Sequence, residues 1–218
     1  MRRYRDLSPA LLFYAVGKDS GGGGDLPIPP TGDWIVKVTD TVDGYLTRAE
    51  MEVNARLIYN YFHAVGWSTT AIAALLGNMQ GESTINPGLI EVGGGTTSAG
   101  AGRGLVQWTP ASNLYDVLDV LYQTHEDWYD GNKQCSVIYA EYQESTGEVH
   151  RGIEPQWYQT SNYPITWDAW AHNTESTVGY LTQAFIENYE RPATTIHPER
   201  TVYAEAWLEK LKEWMKEG

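Results

Sequence analysis

The chain has 218 residues, a length that suits one ordinary domain or one domain with an appendage. Its 15 basic and 28 acidic side chains give a net charge of −13, which argues strongly against nucleic acid as the main partner. The single cysteine, Cys135, excludes an intramolecular disulfide and most zinc frameworks. No apolar run approaches the roughly 20 residues of a membrane-spanning helix.

The first 33 residues differ in composition from the rest of the chain. Four consecutive glycines at positions 21–24 have maximal backbone freedom, and the three prolines that follow disfavour a helix or a central strand. We therefore predict a flexible arm and linker over residues 1–33. Residues 34–218 are predicted to form a single folded domain.

From Thr47 onward the pattern is helical. Thr47 and Glu50 have the spacing of a capping box, and Ser68 is placed to cap a second helix whose apolar run ends near Gly81. The glycine-rich residues 89–108 predict a loop or a small hairpin. Further helical stretches are predicted at 111–123, 133–145, 165–172, 176–189 and 198–216.

Two finer predictions concern the later helices. Thr109 and Pro110 read as a cap followed by proline at the first helical position. In the last helix, Val202, Ala206 and Leu211 are expected to face inward. The expected fold is α+β and predominantly α-helical, with a small β or loop element after the second core helix.

Glu82 is the main candidate for chemistry. It stands at the end of an apolar helix, just before a turn at Asn86, Pro87 and Gly88. A carboxyl that packing shields from water tends to keep its proton, and a protonated carboxyl beside a groove is the general acid that glycosidic cleavage requires. The alternative is an exposed helix-end residue without a function.

Gln107 and Trp108 form the second candidate block, after the glycines of the segment Gly102–Gly104. The Gln107 amide can donate and accept hydrogen bonds, and the Trp108 ring offers a plane to a sugar or to Glu82. We predict that both residues bind substrate.

Four sequence blocks carry a resemblance to a known family. They are NARLIYNY at Asn54–Tyr61, GNMQGESTINPG at Gly77–Gly88, GLVQWTP at Gly104–Pro110 and FIENYERP at Phe185–Pro192. Over residues 45–214 the chain resembles the phage tail lysozyme family, the peptidoglycan-cleaving domains of bacteriophage tail tips. The resemblance implies that residues 34–218 form a lysozyme-like catalytic domain.

The resemblance also implies roles for individual residues. It makes Glu82 the catalytic acid of a muramidase that cuts between N-acetylmuramic acid and N-acetylglucosamine, and it places Gln107 and Trp108 along the sugar groove. Ser83 is a candidate for substrate binding, with the alternative that its hydroxyl satisfies the helix end. Tyr189 is a further candidate for the groove, although the simplest interpretation of residues 189–192 is a helix end whose ion pair holds the groove wall.

The second catalytic group is an open question at this point. Between Glu82 and Trp108 the only other carboxylate is Glu91, in a glycine-rich loop, and it is the candidate for nucleophile or base. If Glu91 does not serve, another polar group activates water, or the hydroxyl of the sugar attacks as in lytic transglycosylases. A non-catalytic wall-binding or tail-hub module is the alternative of another class.

No cofactor and no metal site are expected, because the five histidines lack metal-binding spacing. The expected partners are bacterial peptidoglycan and, through the arm, other tail or cell-wall proteins. Negative charge does not steer an enzyme toward an anionic wall, which favours tethered delivery on a virion tail or at the cell wall.

Overall fold

The computed structural model describes residues 26–217; residues 1–25 and 218 lie outside the described part. A short 3₁₀ helix (Val42–Gly44) opens the helical region, and a π-helical turn (Ile186–Glu190) extends the sixth α-helix. The prediction of a predominantly α-helical chain is confirmed. The α-helices in this part are α1 (Arg48–Ala64), α2 (Thr69–Ser83), α3 (Ser112–Tyr122), α4 (Gly131–Thr146), α5 (Trp167–Ala171), α6 (Val178–Phe185) and α7 (Pro198–Glu217).

The first two helices begin where the sequence predicts. The Thr47 amide donates to the Glu50 carboxylate over 2.7 Å, and the Glu50 amide donates to the Thr47 hydroxyl over 3.4 Å. Ser68 accepts from the amide of Ala71 over 3.1 Å. These caps satisfy amides that a helix start leaves without partners. α2 continues past Gly81, so that Glu82 lies in its last turn.

Helix α2 is the centre of the core. Its residues 71–76 are fully buried, and it packs against α1, α6 and α7. Two glycines let α7 approach closely: a Cβ at Gly77 would lie 2.6 Å from the Cβ of Ala204, and one at Gly81 would lie 2.8 Å from Nε of Arg200. The start of α7 is thereby held against the end of α2 that carries Glu82.

The segment between α2 and α3 is a loop crossed by isolated bridges. Within residues 26–217 these bridges join Thr39 to Leu89, Ile90 to Arg103 and Arg103 to Trp108, and none extends into a ladder of strands. A buried side chain of the loop also binds it to the backbone of the segment that precedes α1. The Asn86 side chain donates to the carbonyls of Lys37 and Gly44, each over 2.8 Å. Of the two predicted alternatives, a loop or a small β element, the described residues after α2 form the loop.

Two local predictions were wrong. The Thr109–Pro110 bond is cis and α3 begins only at Ser112, so proline does not open this helix. In α7, Val202 is 61 % exposed and Ala206 is also exposed, whereas Leu211 is buried as predicted. The inward positions of α7 are those of Arg200, Ala204, Trp207 and Leu211. Arg200 takes an inward position because its guanidinium binds two carboxylates there.

Residues 26–33 belong to the predicted arm, yet part of this segment touches the helical body. Leu26 is half-buried against the core, and a Cβ at Gly32 would lie 2.7 Å from Cδ2 of Leu57. The predicted division at residues 33 and 34 remains a prediction, and residues 1–25 of the arm lie outside the described residues.

None of the helices in the described part is long and apolar enough to cross a membrane.

Candidate active site

The end of α2 presents Glu82 at the edge of the core. Thr84 and Ile85 follow with φ angles of 52° and 59°, which end the helix and turn the chain away. The Glu82 side chain retains 19 % of its exposure, so packing shields it from most of the surrounding water. This carboxylate opens into a groove of about 700 Å³.

The groove is lined by the end of α2, the loop between α2 and α3, and the segment from the π-helical turn onward. It gathers five of the six residues predicted for the site. These are Glu82, Glu91, Gln107, Trp108 and Tyr189. Its other polar lining includes Gln156, Glu190 and Arg191.

Ser83, the sixth predicted residue, does not line this groove. Its side chain is 1 % exposed, and its hydroxyl contacts the carbonyls of Met79 and Leu105 over 3.1 and 2.9 Å. A buried hydroxyl that is already bound to backbone is not available to a ligand. The structure favours the alternative role, in which Ser83 fixes the end of α2 to the loop that carries Trp108.

The side chain of Gln134 in α4 holds the loop that carries Gln107 and Trp108 through hydrogen bonds to its backbone. The Gln134 side chain accepts from the amide of Leu105 over 2.8 Å and donates to the carbonyl of Pro87 over 2.8 Å. Gln107 adopts a left-handed backbone with φ of 50°, and its Nε2 donates to the carbonyls of Leu89 and Gly104, each over 3.0 Å. The Gln107 amide group thus braces the groove wall.

A buried network lies beneath Trp108. The Trp108 indole donates to the Tyr189 hydroxyl over 3.0 Å, and that hydroxyl donates to Glu141 over 2.5 Å. All three side chains are at most 2 % exposed. Burial raises the pKa of Glu141 to about 8, although the hydrogen bonds from Tyr189 and Gln156 act in the opposite direction. Trp108 and Tyr189 are therefore core residues whose edges reach the groove.

Arg200 of α7 joins Glu82 to a second buried glutamate. Its guanidinium donates to the carboxylates of both Glu82 and Glu190, and the side chains of Arg200 and Glu190 are 6 % and 5 % exposed. Burial and the charge on Glu82 raise the pKa of Glu190 to about 8, while Arg200 acts to lower it. An ion pair was expected at residues 189–192; the cation that Glu190 binds is Arg200, not the adjacent Arg191.

Glu91 lies on the exposed part of the groove. Its carboxylate accepts from the amide of Gly102 over 3.1 Å, and its own amide donates to the carbonyl of Gly102 over 2.9 Å. Both contacts hold the residue in the loop and leave its side chain in solvent. Glu91 is thus placed beside the groove as an exposed carboxylate.

Three polar residues of this region were not predicted as site residues. Arg200, Glu141 and Gln156 come from α7, α4 and a loop, and no local motif marks them. One signal was available for Arg200: Gly77 and Gly81 stand four residues apart on α2, the spacing that opens one helix face to a close neighbour.

Comparison with known proteins identifies the family of this chain. Residues 53–211 match the family described as phage tail lysozyme. The chain is 38 % identical over 172 residues to Morphogenesis protein 1 of Bacillus phage B103. That alignment covers 78 % of this chain and 42 % of the relative, so the chain spans less than half the length of the phage protein. The chain belongs to the phage tail lysozyme family.

Proposed function

We propose that this chain cleaves the glycan strands of peptidoglycan, at the β-1,4 bond between N-acetylmuramic acid and N-acetylglucosamine. The observation that carries the proposal is the position of Glu82, a shielded carboxyl at a helix end that opens into a groove of about 700 Å³. A general acid in such a place can protonate the leaving oxygen of a sugar. Membership of the phage tail lysozyme family supports the same substrate.

The groove offers suitable surroundings for a sugar chain. Tyr45 and Val92, which are 47 % and 44 % exposed, supply apolar surface, and Gln107, Gln156 and Arg191 supply hydrogen-bonding groups along the groove. Glu91 is the proposed second carboxylate, acting on water from the exposed side of the groove. If Glu91 plays no part, two outcomes remain. Either another polar group activates water, or the hydroxyl of the substrate attacks, which yields an anhydro sugar and makes the chain a lytic transglycosylase.

The proposed setting is the tail of a virion. The family and the phage relative support this setting, and the relative is named a morphogenesis protein. With a net charge of −13, the chain is not attracted to an anionic wall, so a tethered position supplies the local concentration that steering does not. Residues 1–33 are the proposed connection to other tail proteins.

The first test compares wild type with E82Q on purified peptidoglycan. We expect E82Q to lose activity by roughly 100-fold or more, because the amide cannot donate a proton in place of the acid. Circular dichroism and thermal melting check that the variant is folded. Wall clearing at the wild-type rate by E82Q would show that the acid has been misassigned.

Mass spectrometry of the wild-type digest identifies the reaction. Fragments that end in reducing muramic acid indicate hydrolysis, and fragments lighter by one water indicate transglycosylation. E91Q further distinguishes hydrolysis from transglycosylation, because the E91Q variant is expected to lose activity only where Glu91 acts on water. Binding to the wall without any fragments would support a non-catalytic module instead.

A further inference from the structure

The contact between Arg200 and Glu82 poses a chemical problem for a general acid. A cation beside a carboxylate favours the charged form, and a charged carboxylate has no proton to donate. A general acid whose only charged neighbour is a cation is therefore placed unfavourably for donating a proton. The second carboxylate on the same guanidinium, Glu190, changes this balance.

The three side chains form a charge cluster with little access to water. Glu82, Glu190 and Arg200 are 19 %, 5 % and 6 % exposed, and Arg200 donates to both carboxylates. With both acids ionised, the cluster carries a net charge of −1. Excess charge is costly where solvation is weak, so the cluster favours binding one proton.

An orphaned oxygen points to the same proton. Oε1 of Glu190 is buried and meets no hydrogen-bond partner among residues 26–217. An ionised carboxylate requires partners for both oxygens, whereas a protonated one tolerates the vacancy better. Burial, followed by the charge on Glu82, raises the pKa of Glu190 to about 8, which agrees with a proton at this position near neutral pH.

We propose that Glu82 and Glu190 share a single proton across Arg200, and that Glu190 is a positioning residue that keeps Glu82 supplied with the proton it donates. The inference rests on the proposed function of Glu82 as the general acid. Arg200 contacts both carboxylates, so the guanidinium stays paired with the ionised one whichever of the two carries the proton. Glu190 thus offsets the effect of Arg200 and keeps a proton available to Glu82.

The proton count closes over one turnover. The proton leaves Glu82 for the glycosidic oxygen as the C–O bond breaks and its electron pair stays on that oxygen. Both carboxylates are then ionised around Arg200. The hydroxyl that attacks the sugar carbon, from water or from the sugar itself, releases one proton. Where Glu91 acts on water it takes this proton and passes it to solvent, and solvent returns one proton to Glu82 and Glu190.

Few other charges act on this cluster. Among the described residues, the charged groups that shift the pKa of Glu190 are Glu82 from α2 and Arg200 from α7. Arg191 and Glu91 line the same groove. The Arg191 guanidinium binds backbone carbonyls and Glu91 is exposed, so neither replaces a member of the cluster.

Two variants with opposite expected effects test the proposal through the pH profile of wall cleavage. In E190Q, Arg200 serves Glu82 alone and stabilises its charged form, so the alkaline limit of activity should move down by about one to three pH units. In R200Q, two carboxylates remain without a cation and hold their proton more tightly. The alkaline limit should then move up by a similar amount.

Matched controls separate this proposal from structural damage and from the proposed function. E199Q removes the acid next to Arg200 in α7. The Glu199 side chain is 48 % exposed, so this variant should leave the pH profile of wall cleavage unchanged. Shifts of E190Q and R200Q in the same direction, or no shift in either, would overturn proton sharing. An inactive E82Q together with unshifted profiles refutes the sharing alone, whereas a fully active E82Q refutes the assignment of Glu82.

A measurement on the wild type keeps the test decisive if a variant fails to fold. The carboxyl carbons of a chain labelled with ¹³C-glutamate are followed by NMR across pH 4–10. Proton sharing requires the Glu82 and Glu190 signals to change together, in common steps. Independent single steps for the two residues would contradict it.

Discussion

The groove rests on two buried glutamates, Glu190 and Glu141, and the pKa of each is raised to about 8, chiefly by burial. Their partners differ. Glu190 binds a guanidinium that also holds Glu82, while Glu141 accepts hydrogen bonds from a tyrosine hydroxyl and from the Gln156 amide over 2.5 and 3.5 Å.

The difference separates two uses of a buried acid. The guanidinium beside Glu190 also contacts Glu82, and Glu82 opens to the groove. The proton of this cluster can therefore leave and return. Glu141 has neutral partners, and the Tyr189 hydroxyl above it is buried. Its carboxyl oxygen accepts from the Tyr189 hydroxyl, which in turn accepts from Trp108, so Glu141 supports the position of Trp108. A raised pKa alone therefore does not identify a catalytic acid; the neighbouring groups do.

The largest expected effect is on the stability of the whole domain as pH rises. Both acids keep a proton in the folded state up to about pH 8, whereas in the unfolded chain they lose it near their ordinary value of 4.5. The folded state then binds more protons, so the free energy of unfolding should fall between pH 5 and 8. Its slope approaches about 1.4 kcal/mol per pH unit for each group.

Urea denaturation at several pH values measures this slope in the wild type, E141Q and E190Q. Each variant should remove one of the two contributions and flatten the curve. E199Q, on the surface of α7, should keep the wild-type slope. Stability that rises from pH 5 to 8 would show that neither acid is protonated in the folded state.

The next largest effect is the loss of stability in Y189F, which distinguishes the network of Glu141, Tyr189 and Trp108 from the cluster of Glu82, Glu190 and Arg200. In Y189F the indole of Trp108 loses its acceptor and Glu141 loses a donor, and both groups stay buried. Unsatisfied buried polar groups cost about 1–3 kcal/mol, so the free energy of unfolding should fall by that amount. The pH profile of cleavage should keep its shape, because the Arg200 cluster is untouched.

The matched control for this loss is Y158F. Tyr158 is 73 % exposed, so removal of its hydroxyl should leave stability unchanged. A shifted pH profile in Y189F would join the two clusters into one titrating network and end the distinction drawn between them.

The parts of the molecule that follow local rules could be predicted from the sequence. The caps at Thr47 and Ser68 depend on residues three positions away, and both are found. The same holds for the loop after α2 that carries Gln107. These features require no knowledge of how distant elements pack.

The parts that depend on distant packing could not be predicted. Arg200 lies 118 residues from Glu82 along the chain, and an arginine in a helix is normally assigned to the exposed face. The inward face of α7 runs through Arg200, Ala204 and Trp207, and the predicted Val202 is exposed. Helix-face prediction places apolar residues inward and charged residues outward, and a charged residue with a buried partner breaks this rule.

The smallest expected effect lies at the joint between α2 and the loop that carries Trp108. S83A removes the hydroxyl that bridges the carbonyls of Met79 and Leu105, and the free energy of unfolding should fall by about 1 kcal/mol. If this joint only positions Glu82, kcat should fall modestly while KM stays near the wild-type value. A raised KM without loss of stability would return Ser83 to the list of substrate contacts, because a ligand-binding hydroxyl contributes to binding and not to folding.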